Sequence, residues 1–269
     1  MVSRYKHLIS LLLLAILISS CTSTPTGRKQ LVLKSDAALA QEGARQMQII
    51  RENAPLVQDR ATIDFVACVA DAIVGVLDED NAAMYWELAV VNQPEVNAFV
   101  LPGGKIVVKS GILSMTKNQH QLAAVLGHEV AHVTANHPNE RQTRGEMTSY
   151  GVEVLALILG GGYRNQTQGA YGAMSAAGEL GIMNPFSRKQ ETEADVIGLH
   201  YMAMAGFDPR ESVELWKNMN ASGQATIPEF MSTHPSGETR IESLIDEYPT
   251  ALKLYNEAQA AGRSPNCSL

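Results

Sequence analysis

The sequence predicts an α+β fold that is mostly helical, with a small antiparallel sheet between helices. Apolar residues recur at three- and four-residue spacing over residues 36–52 and 59–77, which is the helical period. Three short β-prone runs follow at 85–91, 97–101 and 105–109, and the Pro-Gly-Gly turn between the last two predicts a hairpin. With 45% apolar residues, the chain has the composition of a globular protein.

Helical patterns dominate the rest of the chain. A helix is expected over residues 118–136, where an asparagine caps its start and Pro138 terminates it. Further helices are expected over 187–205 and 209–219, and two short ones near the C-terminus. The glycine-rich stretch 145–185 predicts either an ordered plug or a loose lid.

The charge and cysteine content exclude several classes of protein. The chain of 269 residues carries 21 basic and 28 acidic side chains, which give a formal charge of −7. A net-acidic surface repels phosphate backbones, so no nucleic-acid partner is expected. Three cysteines are too few for a disulfide-dense scaffold or an all-cysteine metal cage. No long apolar run follows residue 20, which argues against a multi-span membrane protein.

The N-terminal residues predict a cellular address. Residues 1–20 have the basic start, apolar stretch and small final residues of a secretory signal. The sequence Ile-Ser-Ser-Cys that ends at Cys21 resembles a bacterial lipobox, in which the cysteine thiol receives a diacylglycerol. The polar, turn-forming residues that follow predict a lipidated flexible tether over 21–35. Together these features predict a protein anchored through its lipid in the outer membrane, on the periplasmic face.

The two remaining cysteines leave two alternatives open. Export would permit a disulfide between Cys68 and Cys267, because exported proteins meet an oxidising compartment. Cys68 lies in an apolar helical run, where a buried free thiol fits the pattern equally well.

The segment 126–132, Leu-Gly-His-Glu-Val-Ala-His, carries the strongest chemical signal. His128 and His132 are four residues apart on a helix, so both rings can reach one metal ion. Glu129 lies about 100° around the helix, beside that stripe, where a carboxylate can hold water at the metal. The small residues Gly127 and Ala131 would let another element approach closely.

The best source of a third ligand is the run 188–195, Arg-Lys-Gln-Glu-Thr-Glu-Ala-Asp. Glu191 and Asp195 share one helix face, whereas Glu193 projects to roughly the opposite side. One of these two carboxylates can bind the metal while the other accepts the N–H of a ligating histidine. A solvated, charged helix face is the plain alternative.

Both motifs are part of a wider resemblance. Together with Val-Asn-Ala-Phe-Val-Leu-Pro-Gly-Gly at 96–104 and Thr-His-Pro with Arg-Ile at 233–241, they resemble metallopeptidase family M48. The resemblance covers roughly residues 36–250 and implies a gluzincin-type zinc metallopeptidase domain over 36–261, followed by a tail over 262–269. The layout resembles the family's exported BepA- and LoiP-type proteases more than its membrane-spanning HtpX and CAAX types.

The resemblance also implies the roles of individual residues. One Zn²⁺ per chain would be held by His128, His132 and Glu191. Asp195 would then support a ligating histidine, and Glu129 would be the catalytic base that activates water at the zinc.

His234 and Arg240 are further catalytic candidates, because the resemblance brings their segment toward the site. In BepA-like relatives the equivalent histidine can occupy the open zinc position and hold the enzyme latent. Each residue has a plain alternative: His234 as an exposed loop histidine, and Arg240 as a structural partner of Asp195 or of a neighbouring helix.

The strand that begins at Asn97 is the candidate substrate-binding element, through Asn97, Ala98, Phe99 and Val100. An endopeptidase must hold its substrate extended, and an exposed sheet edge does this through backbone hydrogen bonds. Such pairing reads the backbone, so broad specificity for unfolded segments is expected. A plain core hairpin is the alternative.

The sequence therefore predicts a zinc metalloendopeptidase that hydrolyses unfolded or misassembled envelope proteins and reaches the membrane through a lipid on Cys21. The alternative is a lipoprotein chaperone or assembly adaptor whose zinc site is structural or latent. The intact Glu129 favours the enzyme, because a purely structural site needs no base.

Overall fold

The computed structural model describes residues 21–145, 187–221, 229–234 and 238–269. The chain divides into two units, one built from the segments up to Ser35 and from Asn136 to Asn184, the other from the remainder. The predicted signal over 1–20 and nearly all of the predicted loop over 145–185 lie outside the described residues.

The smaller unit begins with an antiparallel hairpin of β1 (Cys21–Ser23) and β2 (Lys29–Leu31). Residues 137–145 are helical, and the Arg28 guanidinium donates hydrogen bonds of 3.0 and 2.8 Å to the two oxygens of the buried Glu140 carboxylate. Part of the segment expected to be a flexible tether is therefore folded, because a bidentate ion pair and a β ladder hold it.

The larger unit consists of one small sheet and a series of helices. Its elements, in chain order, are α1 (Asp36–Asn53), α2 (Arg60–Val74), α3 (Glu79–Ala82), β3 (Glu87–Val91), β4 (Ala98–Leu101), β5 (Lys105–Lys109), α4 (Ile112–Met115), α5 (Gln119–Thr134), α6 (Arg188–Met204), α7 (Glu211–Ala221), α8 (Glu229–Thr233), α9 (Glu238–Asp246) and α10 (Tyr248–Ala260). This is the mostly helical α+β architecture that the sequence predicts.

The sheet is mixed, where an antiparallel one was expected. Its strand order is β3-β5-β4, with β4 antiparallel and β3 parallel to the central β5. The tight turn after β4 brings β5 back between the two earlier strands, so β3 and β5 run in the same direction. Gly103 and Gly104 in this turn have φ angles of 76° and 78°, which side-chain-bearing residues rarely adopt.

The two central helices begin close to the predicted positions, and each has a capping residue. The Asn118 side chain accepts the backbone N–H of Gln121 at the start of α5. Ser187 and Gln190 form a reciprocal capping box at the start of α6. Helix α5 ends at Thr134, two residues earlier than expected, because Asn136 takes a φ angle of 59°.

Helices α5 and α6 are buried through most of their length and approach each other closely. A Cβ built on Gly127 would lie 2.7 Å from the backbone oxygen of Gly198, and one on Gly198 would lie 2.6 Å from the backbone nitrogen of His128. The expected stripe of small residues therefore does bring a second element against the histidine-bearing helix.

The C-terminal tail is tied to the helical core. Cys68 of α2 and Cys267 form a disulfide with a Cα–Cα distance of 5.8 Å, which resolves the alternatives that the sequence left open. The Gln119 amide group at the start of α5 donates to the Pro265 carbonyl and accepts the Cys267 N–H. Among the described residues, none of the helices has both the length and the apolar content to cross a bilayer.

Candidate metal centre

Four side chains that can bind a metal converge in the interior of the larger unit. His128 and His132 come from α5, Glu191 from the first turn of α6, and His234 follows α8. One nitrogen or oxygen of each residue lies within 4.8 Å of the others, and each of the four residues is at most 4% exposed. Residues more than a hundred positions apart in sequence thus form one buried cluster.

The distances within the cluster fit a small tetrahedral cation. His128 Nε2 lies 3.1 Å from His132 Nε2, 3.2 Å from His234 Nδ1 and 3.4 Å from Glu191 Oε2. Glu191 Oε1 lies 3.1 Å from His234 Nδ1 and 3.5 Å from His132 Nε2. Donors at ~2.0–2.1 Å from a tetrahedral centre are about 3.3 Å apart, so the donor set fits a zinc-sized ion.

Asp195 and Arg240 form a buried ion pair that contacts two of these donor residues. Asp195 Oδ1 lies 3.0 Å from His128 Nδ1, the ring nitrogen that faces away from the cluster. Arg240 donates to both Asp195 oxygens, each at 2.6 Å, and its Nη1 lies 3.0 Å from Glu191 Oε2. Its guanidinium also stacks 4.1 Å from the Trp216 ring centroid. Arg240 therefore contacts Asp195 and Glu191 of α6, and the contact with Asp195 is the one that the structural alternative for this residue names.

Glu129 faces the cluster from the side. The residue is 3% exposed, and its Oε1 lies 3.2 Å from His234 Nε2. The same oxygen has no hydrogen-bond partner among the described residues. The His234 ring thus stands between Glu129 and the other donors, with one nitrogen toward each, so this histidine is not the exposed loop residue of its plain alternative.

Burial and mutual charges shift the protonation of these groups. Burial acts to lower the pKa of His128, but hydrogen bonds and charges from Asp195 and Glu191 outweigh it and raise the pKa to about 9. Burial acts to raise the pKa of Glu191, yet His128 and His234 hold it well below its usual range. Burial raises the pKa of Glu129. The cluster therefore favours positive charge at its centre, and an entering cation would displace protons from it.

Peptidase family M48 matches residues 66–247, more than half of the chain, and this stretch contains all four donors of the cluster. The chain belongs to peptidase family M48. The mostly helical fold and the predicted metalloendopeptidase class agree with this membership.

Several named relatives of this M48 peptidase are themselves proteases. The mitochondrial metalloendopeptidase OMA1 of Arabidopsis thaliana is 41% identical over 177 residues, which are 65% of this chain and 34% of that protein. The protein of the same name from Schizosaccharomyces pombe is 36% identical over 230 residues, 81% of this chain and 63% of its own length. The beta-barrel assembly-enhancing protease of Escherichia coli (strain K12) is 29% identical over 206 residues, 75% of this chain and 42% of its own. The M48 peptidase thus spans about a third to two thirds of the length of these relatives.

The predicted location in the outer membrane, on the periplasmic face, is wrong on this comparison. The relatives from A. thaliana, S. pombe, Saccharomyces cerevisiae and Homo sapiens are 36% to 41% identical and are all named as mitochondrial proteins. The prediction depended on a leader and a four-residue motif that ends at Cys21. So short a pattern carries far less information than a match along most of the M48 domain.

The remaining predicted site residues lie at the sheet. Ala98, Phe99 and Val100 belong to β4, an edge strand, and the preceding Asn97 is 5% exposed. The buried Asn97 Oδ1 has no hydrogen-bond partner among the described residues.

The sequence reasoning missed two neighbours of the site. Phe230 stacks on the His234 ring at 4.8 Å, and Trp216 lies 5.9 Å from Phe230. The four-residue spacing between Phe230 and His234 is a helical signal that could have linked those two residues. No local pattern relates Trp216 to them, because their contact is tertiary.

Proposed function

We propose that this M48 peptidase is a zinc-dependent endopeptidase that cleaves unfolded or misassembled polypeptides, with Glu129 as its catalytic base. The observation that carries the proposal is the cluster of three imidazoles and one carboxylate, with donor separations of 3.1 to 3.5 Å. Nitrogen and oxygen donors in a tetrahedral arrangement suit Zn²⁺ better than Ca²⁺ or Mg²⁺, which take more oxygen ligands.

Each residue of the site has a task in this proposal. Zinc, when bound by His128, His132 and Glu191, supplies Lewis acidity that polarises a peptide carbonyl and acidifies water. Glu129 accepts a proton from the attacking water and delivers it to the leaving nitrogen. Burial favours this exchange, because it raises the pKa of Glu129 above that of an exposed glutamate. Asp195 accepts the N–H of His128 and so fixes the ring tautomer that points Nε2 at the metal.

The position of His234 supports a latent form of the enzyme. A hydrolytic zinc site keeps one position open for water, whereas four protein donors close it. His234 Nδ1 takes part in the donor cluster, and the ring also lies against Glu129. We infer that His234 must leave this position before a peptide and water can enter.

The four-donor arrangement also favours one alternative, a chaperone or adaptor with a structural zinc site. His234→Ala separates the two. In a latent protease this change removes the imidazole that closes the proposed zinc site, so casein hydrolysis increases while the bound zinc remains. An adaptor with a structural site loses zinc affinity and stability and gains no hydrolysis.

The test of the main proposal is a comparison of wild type with Glu129→Gln. Both proteins should contain about one zinc by inductively coupled plasma mass spectrometry, because Glu129 is not among the proposed ligands. Hydrolysis of unfolded casein is expected of the wild type or of His234→Ala, and adding Glu129→Gln should abolish it in each. Hydrolysis that is equal with and without Glu129→Gln would refute the role of Glu129.

Two finer predictions stay predictions from the sequence. One is that the substrates are envelope proteins. The other is that a lipid on Cys21 attaches the chain to a membrane. This prediction no longer names the outer membrane. Palmitate labelling of wild type against Cys21→Ser tests the second, and equal labelling of both proteins contradicts it. Whether or not Cys21 is lipidated, the Cys68–Cys267 disulfide supports an oxidising compartment for this protein.

A further inference from the structure

The segment Glu229–His234 contributes His234 to the metal centre and is attached at three points. The Glu229 carboxylate forms an ion pair of 2.7 Å with Lys109 at the end of β5. The Phe230 N–H donates to the Val96 carbonyl at 3.0 Å, and the His234 ring enters the donor cluster. These contacts hold a short stretch of the chain at the place where a substrate must meet the proposed zinc.

Phe230 is the apolar anchor of this segment. Its side chain is 1% exposed and lies 6.0 Å from the His128 ring, between centroids. It is one of the residues that line a cavity of about 20 Å³, together with apolar side chains that include Val125, Leu199, Met202, Leu215, Trp216 and Leu244. A benzyl group of the chain itself thus packs among apolar side chains next to a ligating histidine, and we call the site that its ring occupies the Phe230 pocket.

The polar groups in the pocket wall are already engaged. Asp195 is bound by Arg240, and the Ser212 hydroxyl donates to the Pro209 carbonyl. A polar or charged side chain that entered the pocket would lose its hydration without gaining a free partner. The pocket is therefore suited to a large apolar group.

The backbone contact of Phe230 lies beside the candidate substrate strand. Val96 comes directly before Asn97 and β4, and its carbonyl accepts an N–H from outside the sheet, as an added strand would supply. The buried Asn97 Oδ1, without a hydrogen-bond partner in the described part of the chain, is a second acceptor next to this contact. The segment therefore makes one of the backbone contacts expected of a bound peptide.

We propose that Glu229–His234 takes the place of substrate and that the Phe230 pocket is the specificity pocket for a large apolar residue, best a phenylalanine, beside the scissile bond. This inference rests on the proposed peptidase function and names its substrate class. It adds a side-chain preference, from one buried pocket, to the broad recognition of substrate backbone that the sequence predicts.

The experiment measures binding, so that it does not depend on turnover. Two short fluorescent peptides, identical except for a central phenylalanine or alanine, are titrated by anisotropy against the zinc-loaded Glu129→Gln protein. In each protein the phenylalanine peptide should bind about tenfold or more tightly than the alanine peptide, the factor expected for burying a phenyl group. Adding Phe230→Ala should raise the affinity for both peptides, because both must displace the segment Glu229–His234, which then lacks its apolar anchor.

Two further variants serve as a negative control and as a safeguard against misfolding of Phe230→Ala. Lys253→Ala changes a side chain on α10 that is 77% exposed, and should leave both affinities unchanged. Phe230→Leu keeps an apolar side chain in the pocket, so it should fold even if Phe230→Ala does not. Its gain in affinity for both peptides should be smaller than that of Phe230→Ala and in the same direction.

The outcomes separate the two proposals. Equal affinities for the two peptides, or no gain in affinity in any folded Phe230 variant, would overturn the specificity pocket. Absence of casein hydrolysis in wild type and in His234→Ala would overturn the peptidase function, while the ratio of peptide affinities would still decide the pocket.

Discussion

Gly127 of α5 and Gly198 of α6 meet backbone to backbone, so that a Cβ on Gly198 would lie 2.6 Å from the His128 nitrogen. The contact joins the helix that carries two imidazoles to the helix that carries Glu191. Because neither glycine has a side chain, the two helices approach closely, and this approach sets the distance between the imidazoles and Glu191.

Gly198→Ala should push α6 away from α5 and weaken the metal site. Overpacking of this kind costs about 1–3 kcal/mol of unfolding free energy, and a shifted Glu191 should also lower zinc affinity. Urea denaturation and a competition titration with a chromogenic chelator measure the two effects. Gly75→Ala is the matched control, because its φ is −65° and the nearest atom to its Cβ would be 3.1 Å away. Equal zinc affinity in both variants would contradict the prediction.

Asp195→Asn should lower zinc affinity without removing a proposed ligand. The amide keeps the size of the carboxylate but loses the charge that pairs with Arg240 and orients the His128 ring. Loss of such a supporting partner typically costs 10–100-fold in metal affinity. The same chelator competition checks it, with Glu214→Gln, a half-exposed carboxylate on α7, as the control. An Asp195→Asn protein that binds zinc as tightly as wild type would show that the Asp195–Arg240 pair does not contribute to zinc binding.

Removal of the metal should destabilise the protein reversibly. Binding to the folded state alone contributes about 4 kcal/mol when free zinc is a thousandfold above its dissociation constant. Dialysis against a chelator should therefore lower Tm in scanning calorimetry, and added zinc should restore it. Glu129→Gln should respond as wild type does, whereas His132→Ala should show a much smaller shift. An identical shift for His132→Ala would place the stabilising ion elsewhere.

Loss of the Cys68–Cys267 disulfide should reduce the free energy of unfolding. The bond joins residues 199 positions apart, and the chain-entropy relation for such a loop gives about 5 kcal/mol as an upper value. Cys68→Ser should lower the urea midpoint, and a reducing agent should have the same effect on wild type. Cys21→Ser is the control, since Cys21 takes no part in that bond. A reductant effect of similar size on Cys68→Ser would assign it to another process.

Local rules account for the parts of the candidate site that could be predicted from the sequence. His128 and His132 follow from helical spacing alone, because residues four apart share a face. The capping residues Asn118 and Ser187 were predictable for the same reason, since a cap needs only its own first turn. Sheet order was not predictable in this way. The parallel pairing of β3 with β5 joins strands that are separated by a hairpin, and nothing local selects it.

The amino-acid sequence by itself determined the helices, the pair of imidazoles, the two acidic candidates and the turn glycines, because each depends on neighbours within one or two turns. Tertiary structure alone decided that Glu191 faces the imidazoles while Asp195 binds Arg240, that His234 lies among the donors, and that Phe230 lines an apolar cavity beside them. These contacts join residues tens of positions apart, and only the packing of α5, α6 and α8 sets their distances.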